Sequence, residues 1–223
     1  MPREAACHCG QLTLKVEGEP RRVSICHCFA CQRRTGSAFG MQAGFDKNQV
    51  TISGEYNDYS RISDEADRKE HVFHFCPECG SQVFYTEPGE DFVVVSVGSF
   101  ADPDFPPPVE SGYDQRRHRW IQLPEGINRF GAGIWAEVHP LYLEGKYEAA
   151  AARARTLVEQ YPEYPDLAYN TACCEGLIGN AAGAVDYLSR AISVYPPFRE
   201  MAQADTDFDR VRDNPAFKAL LTP

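Results

Sequence analysis

The sequence has no apolar run long enough to cross a bilayer as a helix, which takes about 20 residues, so no membrane segment is expected. It has no surplus of positive charge. Its 22 Lys and Arg stand against 32 Asp and Glu, a net charge of −10, and each side of residue 130 carries −5. No basic domain is therefore hidden behind an acidic one. Duplex nucleic acid, whose binding is dominated by phosphate neutralisation, is disfavoured as a partner. The opening residues, Met1-Pro2-Arg3-Glu4-Ala5-Ala6, lack the apolar core of a secretory leader, and the expected location is the cytoplasm. An even complement of cysteines is also missing. Nine cysteines, an odd number, with no leader and with close spacings, disfavour a disulfide framework.

The cysteines that are present concentrate at one end. Seven of the nine fall between positions 7 and 79, in three groups: Cys7-x-Cys9, Cys26-x-Cys28-x-x-Cys31 and Cys76-x-x-Cys79. Two cysteines one residue apart rarely meet the geometry of a mutual disulfide, so metal binding is the better account. A closed structural zinc takes four ligands, and a catalytic zinc takes three plus an exchangeable position. Four plus three uses all seven. The central group supplies three, and the outer two groups combine as four. Another partition joins Cys76 and Cys79 to two of the central cysteines and leaves three unused. Both metals serving only to hold the fold is also open, because spacing is silent about catalysis. His27 sits between two better ligands and is expected to point away. His74 shares a strand face with Cys76 and is either an outer support for the site or an ordinary polar strand residue. His8 is expected in solvent.

Short alternating runs mark the first part of the chain as all-β. Leu12, Leu14 and Val16 form a strand after the Cys-x-Cys-Gly turn. Val23–Ile25 leads into the central cysteine loop, and Phe39–Phe45, Val50–Ile52, His71–Phe75, Val83–Tyr85 and Phe92–Val97 read as further strands separated by turn residues. Asp64–Glu70 reads as a solvated loop. Pro103–Pro108, with four prolines in six residues, is an extended connection. Arg116–Ile121 is a candidate last strand, its basic residues either a solvated edge or a contact for an acidic ligand.

Character changes near residue 131, where alanine and helical spacing take over. A period of 34 pairs Leu143 with Leu177, Gly145 with Gly179, Ala150 with Ala184, Ala154 with Leu188, Leu157 with Ala191, Tyr161 with Tyr195 and Pro162 with Pro196. Each unit reads as helix, Gly turn, helix and Pro stop. Two such units need each other and a cap to bury their apolar faces, and Asp205–Leu221 is expected to supply a terminal helix. This half resembles tetratricopeptide repeats. Cys173 and Cys174 are expected to be buried small residues of that region. The organisation is thus multidomain β + α, with residues 1–130 a metal-binding β domain and residues 131–223 all-α helical repeats.

Cys7-His-Cys9-Gly, Cys26-His-Cys28-x-x-Cys31 with Thr35-Gly36-Ser37, and Phe75-Cys76-x-x-Cys79-Gly-Ser resemble the glutathione-dependent formaldehyde-activating enzyme family, also named for centromere protein V. The resemblance covers residues 1 to about 125. It implies a β-tent of the Mss4-like kind built from antiparallel strands. It implies two zinc ions, one structural on Cys7, Cys9, Cys76 and Cys79 and one catalytic on Cys26, Cys28 and Cys31. The implied reaction is a reversible carbon–sulfur lyase step that joins formaldehyde and glutathione into S-hydroxymethylglutathione, with a small thiol such as glutathione as partner. Thr35-Gly36-Ser37, with Arg33 or Arg34, is a candidate cradle for a substrate carboxylate. The chain departs from the family after the proline-rich stretch. Members carry a histidine there, and this sequence reads Pro108-Val109-Glu110-Ser111. The competing reading is a non-catalytic zinc module whose helical repeats bind a protein partner or a second copy.

Overall fold

A computed structural model of the protein describes residues 2–63 and 69–222. The chain divides into two compact units, Met1–Ile127 and Asn128–Pro223. The first is built mainly from strands and the second mainly from helices.

Two sheets make the first unit. Strands β1 (Arg3–Ala6) and β2 (Thr13–Val16) pair antiparallel, and β2 pairs with β5 (Val50–Ser53). The larger sheet is ordered β10-β3-β4-β9-β8-β7-β6. Its strands are β3 (Arg22–Cys26), β4 (Gly40–Asp46), β6 (Asn57–Ile62), β7 (Glu70–Phe75), β8 (Gln82–Thr86), β9 (Phe92–Ser96) and β10 (Glu110–Gly112). Period-two alternation puts Leu14 and Val16 of β2, Ala43 and Phe45 of β4, and Val93 and Val95 of β9 into one core between the sheets. Phe100, stacked on Phe105 and tilted against Phe45, closes that core.

The expectation of purely antiparallel strands is corrected at one strand pair. β10 pairs parallel with β3, Ser111 opposite Ile25 and Gly112 opposite Cys26. The candidate strand Arg116–Ile121 is not one. Tyr113 takes a left-handed backbone and starts a 3-10 turn over Asp114–Arg116. Arg117 pairs with Asp114 at 3.0 Å, and Ile121 N–H closes a turn on His118. Local bonds thus take the backbone groups that a ladder would need. The central cysteine stretch, read as a loop, carries a short helix, α1 (Phe29–Thr35). Of the loop read at Asp64–Glu70, residues 64–68 lie outside the described residues.

The second unit contains α2 (Ala132–Trp135), α3 (His139–Leu143), α4 (Tyr147–Gln160), α5 (Pro165–Leu177), α6 (Ala181–Val194), α7 (Phe198–Ala204) and α8 (Pro215–Leu221). Positions 34 apart take matching places. Ala150, Ala154 and Leu157 of α4 are buried, as are Ala184, Leu188 and Ala191 of α6. Between them, α5 is buried on nearly all sides. Its Glu175 is fully buried and accepts from Arg155 Nε at 2.5 Å and Asn180 Nδ2 at 2.7 Å. The terminal helix expected over Asp205–Leu221 is broken. Thr206–Phe208 is a 3-10 turn, and α8 begins at Pro215 with Asn214 as its cap, because Pro cannot donate within a helix and is tolerated at its first position.

Among the described residues, no helix is long and apolar enough to cross a membrane.

Candidate metal centre

Two knuckles build the outer cysteine cluster. After β1 the chain turns through Cys7-His8-Cys9-Gly10, where Gly10 N–H donates to Cys7 O at 3.1 Å and Gly10 holds φ at 80°. After β7 it turns through Cys76 to Gly80, where Gly80 N–H donates to Cys76 O at 2.9 Å with φ at 72°. Both positions are left-handed, which glycine adopts without a Cβ clash. The turns bring Cys7, Cys9, Cys76 and Cys79 together with their sulfurs within 4.8 Å of one another. Cys7 Sγ lies 3.5 Å from Cys9 Sγ, and Cys9 Sγ lies 3.7 Å from Cys76 Sγ. Four sulfurs about 2.3 Å from a tetrahedral zinc stand about 3.8 Å apart, so the donor set and its spacing fit that ion. Leu12 N–H donates to Cys7 Sγ at 3.2 Å, and Cys79 Sγ lies 3.4 Å from Ser81 Oγ. The Ser81 hydroxyl and N–H push the Cys79 thiol down to about 5. Cys7 and Cys76 are buried, and Cys9 is exposed.

The central cluster is local. Cys26 ends β3, Cys28 caps α1 by accepting from Cys31 N–H at 3.3 Å, and Cys31 lies in the first turn. Their three sulfurs also fall within 4.8 Å of one another, and among the described residues no His, Cys, Asp or Glu joins them as a fourth donor. The charge is shared unequally. Contacts from the Cys26 and Cys28 thiols, with Arg34 alongside, hold Cys31 well below the usual thiol range. The same contacts with Cys28 and Cys31 push Cys26 up. Arg34 Nη2 stands 3.8 Å from Cys31 Sγ, its Nη1 donates to Gln82 Oε1, and its guanidinium covers the Phe73 ring at 5.0 Å. Arg34 is thus engaged with the cluster and its supports, whereas Arg33 is exposed. In Thr35-Gly36-Ser37 the Ser37 N–H donates to Thr35 Oγ1 at 3.2 Å, so it is already used.

The histidines divide. His27, read as pointing away, is fully buried under the central loop. Its ring meets Phe39 edge-on at 5.8 Å, and neither ring nitrogen has a hydrogen-bond partner among the described residues. His74 Nδ1 meets Asp58 at 2.7 Å and Nε2 meets Thr86 at 2.9 Å, so both nitrogens are occupied away from the cysteines. His8 is exposed. Two features went unread in the sequence. Gln32 ties α1 to the 113–121 loop, donating to His27 O at 2.8 Å and Arg116 O at 3.3 Å. Cys173 gathers with Asp205 and Asp207. There Tyr169 donates to Asp205 at 2.8 Å and Tyr142 to Asp207 at 2.8 Å, so the carboxylates are satisfied within the unit. Neither feature carries a motif, because each joins residues far apart in sequence.

Residues 2–118 match the family described as glutathione-dependent formaldehyde-activating enzyme. The chain belongs to that family. The match spans more than half the chain and takes in all seven N-terminal cysteines. A Halomonas elongata protein with a provisional name as a glutathione-dependent formaldehyde-activating enzyme is 24% identical over 125 residues, 54% of this chain and 80% of the relative. A crystal structure of a Rhodobacter sphaeroides protein superposes with a TM-score of 0.35 at 20% identity, covering 45% of this chain and 91% of the other. As a formaldehyde-activating family member, the chain is coarsely an enzyme that handles a thiol and an aldehyde. Its cysteine clusters suit zinc.

Proposed function

We propose that the first unit is a zinc-dependent carbon–sulfur lyase of the β-tent, Mss4-like kind, acting on the adduct of a thiol such as glutathione with formaldehyde. The observation that carries this reading is the inequality of the two clusters, four sulfurs in one and three in the other. Cys7, Cys9, Cys76 and Cys79 would hold a structural zinc, and Cys26, Cys28 and Cys31 a catalytic one with an exchangeable position. Zinc bound by the central three supplies positive charge that favours a thiolate or polarises an aldehyde oxygen. In the synthetic direction the thiolate sulfur attacks the carbonyl carbon. The carbon–sulfur bond forms, the carbonyl π pair moves to oxygen, and oxygen takes the proton the thiol lost. The reverse step returns both reactants.

The chain's own residues prepare that centre. The Cys26 and Cys28 thiols, with Arg34 alongside, favour the thiolate of Cys31, and the Cys28 cap fixes the loop's geometry. The thiols must stay unpaired, which suits a reducing cytoplasm. The second unit reads as tetratricopeptide-like and as the part that binds a protein partner or a second copy.

The test is zinc content by elemental analysis, with cobalt substitution as an optical readout. Wild type is expected to hold two metals per chain. Cys28→Ser is expected to hold one, stay folded and lose the spectral change that glutathione causes in the cobalt protein. One metal in wild type, or two that ignore glutathione, would replace the enzyme reading with that of a non-catalytic zinc module.

A further inference from the structure

Arg116 is an unusual cation in an acidic chain. Its guanidinium lies over the Phe29 ring at 5.0 Å and the Tyr113 ring at 4.9 Å, held between two aromatic faces. Among the described residues no carboxylate lies within ion-pair distance of it, whereas Arg117 beside it is paired with Asp114 and bonded to Ile121 O. The position is built from three sides. Phe29, the ring under the guanidinium, directly follows Cys28 at the start of α1. Gln32 of α1 takes Arg116 O with one amide hydrogen bond and His27 O, between Cys26 and Cys28, with another. Gln32 Oε1 meets His118 Nε2 at 3.1 Å. Arg119 and Trp120 follow in solvent, Trp120 72% exposed and edge-on to His118.

We infer that Arg116 is a specificity residue that receives the carboxylate of an acidic thiol bound at the central cysteines. The inference rests on the thiol reading above and names its substrate class. Contacts with the Phe29 and Tyr113 rings restrain the guanidinium, so less rotamer freedom is lost when a carboxylate takes the fork. A thiol without a carboxylate gains nothing from it.

Two thiols and two variants test this. Reduced glutathione carries carboxylates, and cysteamine carries none. Affinity for each is measured by calorimetry on the zinc-loaded full chain, alongside KM and kcat with formaldehyde. Arg116→Gln is expected to weaken glutathione about 10- to 100-fold, the range of a charge-assisted hydrogen bond, seen in KM rather than kcat. Cysteamine affinity is expected to stay within about twofold, and Arg116→Lys to recover part of the loss. Equal weakening of both thiols, with zinc content unchanged, would make Arg116 merely structural and overturn the inference. Unchanged glutathione affinity would also overturn it. Wild type that binds glutathione without turnover overturns the lyase reading, while the binding comparison still decides Arg116. Wild type that binds cysteamine and not glutathione overturns Arg116 and leaves the thiol reading standing. Binding of neither overturns both.

Discussion

Replacing Cys76 by Ser should damage the first unit far more than replacing Cys31 by Ser, although each removes one sulfur. The outer cluster joins residues far apart, with Cys9 and Cys76 separated by 67 positions. Treated as a cross-link, a tie across that loop restricts the unfolded chain by about 4 kcal/mol. The central cluster spans only Cys26 to Cys31, and the same relation gives about 2 kcal/mol. Whole domains are stable by about 5–15 kcal/mol, so the first loss is a large fraction of the total. Cys76 is also fully buried, and its backbone N–H and O hold the knuckle together. Hydrogen exchange read by mass spectrometry separates the effects by region. Amides of Leu14 and Val16 in β2, and of Val83 to Tyr85 in β8, should exchange about a thousandfold faster in Cys76→Ser than in wild type. Cys31→Ser should accelerate them about thirtyfold at most. Amides of α5 serve as an internal reference. Equal effects from the two substitutions, or a larger one from Cys31→Ser, would refute the assignment of a fold-holding role to the outer four sulfurs.

Two further outcomes concern the helical unit. Arg155→Met should destabilise it by about 3 kcal/mol, because Glu175 would remain fully buried without its cation; urea unfolding followed by Trp135 fluorescence measures this. Asp166 accepts from Gly131 N–H at 2.9 Å, and burial pushes its carboxyl up to about 6 despite that bond. The unfolded carboxyl titrates near 3.9, so folding favours the protonated form. That contribution is full below about pH 4 and is lost as pH rises towards about 6. Asp166→Asn keeps an acceptor oxygen and should flatten this decline in urea midpoints taken between pH 4 and pH 7.

The alternation of Leu12, Leu14 and Val16, or of Phe39 to Phe45, announces strands because one face of each is buried and the other is not. The two Cys-Gly knuckles are equally visible, since a left-handed residue after a close cysteine pair has few other uses. Other features left no trace of that kind. Helix α1 buries no residue fully, so it imposes no 3.6-residue apolar period and reads as a loop. β10 is three residues long and pairs with a strand more than eighty positions earlier, and nothing in Glu110-Ser111-Gly112 marks that partner. The basic residues of 116–119 suggested an edge strand, yet Tyr113 is left-handed and the N–H groups of Arg116, Arg117 and Ile121 donate locally to Tyr113 O, Asp114 O and His118 O. Burial of His27 escaped notice because a histidine between cysteines reads first as a polar spacer. The helical period was legible at Ala150 and Ala184. The break before α8 follows from Pro215, which a purely apolar pattern overlooks.

The two cysteine clusters also differ in when they can exist. A growing chain holds Cys26, Cys28 and Cys31 as soon as one short segment has been made, and α1 can order them with local bonds alone. The outer four wait for residue 79. On the two-zinc reading the local cluster would compete for metal first during synthesis, with Cys7 and Cys9 already made and available as surplus thiols. An ion captured there with a fourth sulfur from Cys7 or Cys9 would have to be released before the knuckles could close. On the two-zinc reading, the length of chain between Cys9 and Cys76 would set an order of assembly, and metal supply during translation would become part of how this protein reaches its native state.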